Sequence, residues 1–146
     1  MFGKKNKGAK NAKEDNANTL LDDIKKYAEW ISTALSSSGY NANFSVESTK
    51  EIDRFISEQS GEGGLLAEDT GSRLFALGSY VGEVVIRNYG GEWIADDNDP
   101  EGEMNISVMV AGHIQMWPVI RVMKVFKEGP ENAVYPYVVA LKSYIT

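Results

Sequence analysis

A chain of 146 residues, 42% hydrophobic and 25% charged, has the length of one domain and needs neither disulfide nor metal to hold a core. It contains no cysteine, which excludes disulfides, thiolate nucleophiles and thiolate metal sites. The net charge of −6 is uneven: residues 1–18 carry five lysines against Glu14 and Asp15, a net of +3, so residues 19–146 carry −9, which disfavours nucleic acid and favours a basic partner.

Residues 1–18 are Lys, Asn, Gly and Ala with almost no apolar side chains, and read as a disordered tail. Five scattered lysines without an amphipathic face form at most a weak tether to anionic lipid or RNA, so a solvated tail is the expectation. No apolar run approaches the ~18 residues of a membrane span, and no apolar secretion core is present, which predicts a cytoplasmic protein.

The first helix is predicted to start after Asn18 or Thr19, with Leu20, Ile24, Tyr27, Ile31 and Leu35 as its buried stripe and SSSG at 36–39 as its end. An irregular stretch, 40–46, follows. Ser48 and Glu51 match a capping box opening a second helix, with Ile52, Phe55 and Ile56 inward and Lys50, Asp53, Arg54 and Glu58 outward. After a glycine-rich loop running to about Thr70 comes the most apolar segment, Leu74 to Trp93. Leu74, Leu77, Val81 and Val84 form one stripe, and Phe75, Gly78, Gly82, Val85 and Tyr89 a second. Only Ser79, Glu83 and Arg87 make a polar line. A helix apolar around most of its circumference is buried on several sides. Gly78 and Gly82 each cost roughly 1 kcal/mol against alanine in a helix, which close approach of a neighbour would offset. Gly90 is the expected left-handed terminator.

The period then changes to two. Trp93 and Ile94 start a strand, DDNDPEGE (96–103) is a turn, and Ile106, Val108 and Val110 alternate with polar or flexible neighbours in a second strand. Ala111-Gly112-His113 connects to a third, ending at Pro118. Val119, Val122, Met123 and Phe126 restore helical spacing up to Gly129-Pro130, and a last helix from about Pro136 turns Val138, Leu141 and Ile145 inward. The fold class is α+β: three helices, a three-stranded antiparallel meander and two helices, with 19–146 as one domain.

Little in this chain resembles a catalytic signature. His113 is the sole histidine and lies in a predicted turn, so a histidine zinc site has too few ligands, and no Gly-x-Ser-x-Gly elbow accompanies the serines. Asp97, Asp99, Glu101 and Gly102 imitate half a calcium loop, but the glutamate position is Val108. GEGG at 61–64 lacks the lysine and hydroxyl of a phosphate-binding loop. Glu83 and Arg87 are spaced as an i,i+4 pair, and Trp93 and Trp117 are expected to pack in the core or on a sheet face.

The run Leu77-Gly78-Ser79-Tyr80-Val81-Gly82-Glu83-Val84, then Gly90-Gly91-Glu92-Trp93, then Trp117-Pro118 before Arg121-Val122-Met123-Lys124 and Gly129, resembles a family of small bacterial domains of unknown function. Ser48 to Ile56 fits as well, so the resemblance covers roughly residues 40–130. It implies the fold and a bacterial cytoplasmic setting and transfers no activity.

The resulting expectation is a non-enzymatic protein-binding module, in its narrower form an immunity-type inhibitor of a basic partner. The candidate contacts are Glu83, Arg87, Asp96, Asp97, Asp99 and Glu101, with no cofactor and no metal. The alternative is a small-molecule-binding or enzymatic domain with a pocket beside Glu83 and Arg87, drawing on Tyr80. A third is a structural accessory protein held by its tail.

Overall fold

In the computed structural model, residues 18–145 are described, so the expected tail, but for Asn18, lies outside them. Helices α1 (Leu20–Ser37), α2 (Thr49–Gln59) and α3 (Thr70–Tyr89) come first. Strand β1 (Glu92–Ile94), the short helix α4 (Gly102–Asn105), β2 (Ser107–Val110) and β3 (Ile114–Met116) follow, then α5 (Pro118–Glu128) and α6 (Val134–Lys142). The order β1-β2-β3 with both ladders antiparallel is the predicted meander, and the α+β class stands.

α3 is the centre of the molecule because its whole middle is apolar. Every residue from Leu74 to Val85 is buried, α1 and α5 pack along it, and β2 lies against it. The two glycines mark the close approaches. A Cβ on Gly78 would stand 2.5 Å from Val119 Cγ2 and 2.6 Å from Val119 Cα, so α5 rests on the bare backbone of α3 there. A Cβ on Gly82 would stand 2.0 Å from Trp93 Cη2 and 2.5 Å from its Cζ2, so the indole rests on bare backbone there. Gly90, at φ 88°, terminates α3 as a residue without a Cβ can.

α1 opens with a capping box between Thr19 and Asp22. The corresponding box expected at Ser48 and Glu51 does not form. Ser48 is itself in helical conformation, continuous with a 3-10 turn over Val46–Ser48 that Ser45 caps. Its hydroxyl instead lies 2.7 Å from that of Tyr80, and Glu51 pairs with Arg54 at 2.7 Å. Asp53, expected outward, is half-buried. Its two carboxylate oxygens accept the backbone N–H groups of Val134 and Tyr135 at 2.7 and 2.9 Å, so a side chain of α2 caps the start of α6. That capping draws α6 to begin two residues before the expected Pro136. The run 96–103 is likewise more ordered than a turn, because α4 starts within it at Gly102.

Candidate functional site

Glu83, on the polar line of α3, is the buried hub of a network that reaches the surface at Arg87 and Glu29. Glu83 is 9% exposed. One carboxylate oxygen accepts Arg87 Nε–H at 3.1 Å and the other accepts Trp93 Nε1–H at 2.8 Å. Arg87 also donates to Glu29 of α1 at 2.8 Å and lays its guanidinium 3.6 Å from the ring centroid of Phe44. Phe44 is held at φ 65°, a strained conformation for a bulky side chain. The Tyr80 hydroxyl accepts its N–H at 2.9 Å, and Asn88 donates to its carbonyl at 2.9 Å. Burial lowers the pKa of Arg87, but Glu29 and Glu83 more than offset this and hold it above the ordinary arginine value. Burial raises the Tyr80 phenol, although Ser48 and the Phe44 N–H oppose the shift. Ser79, on the same line, is fully buried and its hydroxyl has no partner among the described residues.

The expected i,i+4 pair of Glu83 and Arg87 is therefore present, and it ties β1, α1 and the 40s segment to α3. Both oxygens of Glu83 already hold donors, which leaves this carboxylate a structural task. Three concavities of about 170, 210 and 500 Å³ lie elsewhere, and neither Glu83 nor Arg87 lines any of the three.

The acidic segment is a folded loop. Asp97 accepts the N–H of Leu20 at 2.7 Å, at the first residue of α1, where a negative charge is favourable. Asp96 accepts the N–H of Asn98, and Asp99 accepts those of Glu101 and the Asn105 side chain, all at 2.9 Å. The Asn105 amide and the Glu101 N–H hold the Asp99 carboxyl below its usual range. Asp97, Asp99, Glu101 and Glu103 line the largest of these three concavities, an open one of about 500 Å³. Glu83 and the exposed Arg87 belong to the α3 network, whereas Asp96, Asp97, Asp99 and Glu101 belong to this loop. Among the described residues, no group of three or more His, Cys, Asp or Glu is placed to hold a metal ion. No helix among them is long and apolar enough to cross a membrane.

A further surface was not anticipated. Trp93, Val108 and Met116 form one row across the sheet and face the core. Alternation sends their neighbours the other way: Glu92, Met109 and Gln115 form one outer row, and Ile94 pairs with Ser107 in the next. Trp117 keeps an extended backbone (φ −115°, ψ 92°), so the alternation continues through it and places its indole on the outer face beside that row. Of the two places expected for Trp117, core or sheet face, it takes the sheet face, on the outer side. It is 41% exposed and Ile94 43% exposed, and neither they nor Met109 join the core clusters. The signal was in the sequence: Met116 before Trp117 takes the inward position, and only one of two consecutive strand residues can.

Between Arg87 and Arg121 the chain carries Glu92, Asp96, Asp97, Asp99, Glu101 and Glu103 and neither lysine nor arginine. Because Ile94 ends β1 and its partner Ser107 begins β2, the acidic loop leaves and re-enters the sheet at the Ile94 end of the outer face. Carboxylates and exposed apolar side chains thus share one end of the molecule. No protein-family model, curated protein or solved structure matches this chain.

Proposed function

We propose that this chain is a non-enzymatic protein-binding module, an inhibitor of the immunity type, that engages a basic partner through its acidic end. The supporting observation is the run of six carboxylates between Arg87 and Arg121 with no basic residue among them. Four of the loop's carboxylates line an open concavity, and hydrogen bonds fix the loop backbone, so little ordering entropy is left to lose on binding. Electrostatic attraction of this kind acts mainly on association rate and is screened by salt.

The test is capture from native lysate by the tagged full chain at low and high salt, followed by measured association rates with the captured protein. A stoichiometric basic partner is expected. Changing Asp96 and Glu101 to their amides should slow its association and flatten the salt dependence. Those positions are preferable to Asp97, which also caps α1. Capture that is indifferent to salt, with unchanged association rates, refutes the proposal.

A further inference from the structure

We propose that the outer face of the three-stranded sheet, centred on Ile94, Met109 and Trp117, is where a basic protein segment seats an apolar side chain. This rests on the basic-partner reading and adds the surface and the kind of anchor.

One face of the sheet lies on α3, and on the other Ile94 and Trp117 are exposed. An isolated exposed leucine or isoleucine is ordinary, but here a tryptophan, an isoleucine and a half-buried methionine share one face of three adjacent strands. Ser107, between Ile94 and the Trp117 strand, is 1% exposed, and Gln115 donates to its hydroxyl at 2.9 Å. The middle of the face is thus already covered by its neighbours and needs no new polar partner. Tryptophan is among the residues that carry most of the free energy in protein interfaces, and methionine adapts to the shape it meets.

The fringe of this face decides the occupant. Glu92 lies on the face itself, and Asp96 and Asp97 follow Ile94 within three residues. A second copy docking through the same face would bring these carboxylates with it and, from residue 88 to 120, no lysine or arginine to answer them. Anionic lipid and nucleic acid meet the same repulsion. A segment in which lysine or arginine flanks a large apolar residue satisfies both the centre and the fringe.

The full chain, labelled with 5-fluorotryptophan and assigned through Trp→Phe variants, is titrated with a short synthetic peptide alternating lysine and leucine. The expected result is a shift of the Trp117 fluorine signal while Trp30, which lines a separate groove on α1, stays in place. Trp117→Ala and, on a different strand, Ile94→Ser should each weaken binding about tenfold, the scale of an interface anchor. Circular dichroism checks that both variants keep their helices. If the peptide binds but leaves Trp117 unmoved, the docking face is refuted and the basic-partner reading stands. If it fails to bind, or a glutamate–leucine peptide binds equally well, both fall. A concentration-dependent dimer abolished by Trp117→Ala also overturns the proposal, because it makes the occupant a second copy.

Discussion

Gly78→Ala sets a local preference against a tertiary contact. Alanine is favoured over glycine in a helix interior by roughly 1 kcal/mol. The new methyl, however, would stand 2.5 Å from Val119 Cγ2, 2.6 Å from its Cα and 2.9 Å from its N. A side chain could swing aside, but two of these three atoms are backbone, so α5 itself must shift. Overpacking of this kind costs about 1–3 kcal/mol, and displacement of backbone puts this case at the upper end. The net loss is about 1–2 kcal/mol, a fall in Tm of about 3–8 °C for a domain of this size. Trimming Val119 to alanine removes only the Cγ2 contact and should restore little. Gly71→Ala is the control, because it lies in the first turn of the same helix with nothing within 4 Å of an added Cβ. It should leave Tm unchanged or raise it. Thermal unfolding followed by circular dichroism reads all three variants. A Tm for Gly78→Ala equal to or above the parent's would refute the claim that α5 rests on the backbone of α3.

Three other perturbations address the polar contacts. Glu83→Gln should cost about 1–3 kcal/mol, because an amide cannot accept from both Arg87 and Trp93 and turns a donor toward one of them; an unmoved Trp93 indole proton in NMR would contradict this. Asp53→Ala removes the acceptors of two N–H groups and should cost about 1 kcal/mol, with faster amide exchange at Val134 and Tyr135 than elsewhere in α6; uniform exchange would show that the cap is dispensable. The Asp99 carboxyl lies below its usual range in the folded chain, so its contribution is present above the ordinary aspartate pKa and is lost as pH falls through the lowered folded value. The Asn105 side-chain amide signal should follow that transition, and Asp99→Asn should remove it.

The central network shows why some of the candidate site was legible and some was not. Glu83 and Arg87 are four residues apart, and helical geometry alone brings them together. That Trp93 would take the second oxygen of Glu83 depends on β1 folding back over Gly82, a contact between segments that periodicity does not encode. Glu29 and Phe44 arrive from still farther away, and nothing local marks Phe44 for a left-handed backbone. The acidic loop is similar. Its carboxylates were plain in the sequence, but the bond from Leu20 to Asp97 joins residues 77 apart.

By itself the sequence determined five of the helices, the three strands and their order, because hydrophobic period, glycine stops and proline positions act within a few residues; the short α4, inside the acidic run, it did not mark. It determined that α3 would be buried on several sides, since its apolar stripes leave room only for Ser79, Glu83 and Arg87. Tertiary structure alone decided what each polar group answers to. Asp53 faces a helix end eighty residues away, Ser48 faces Tyr80 rather than its own helix, and Trp117 is left outside because the inward place on its strand went to Met116. A buried polar group takes whatever partner the fold brings, as Glu83 does and the Ser79 hydroxyl does not, and a sheet residue such as Trp117 stays exposed where nothing packs over it. Both outcomes depend on how distant segments pack, which local pattern does not specify.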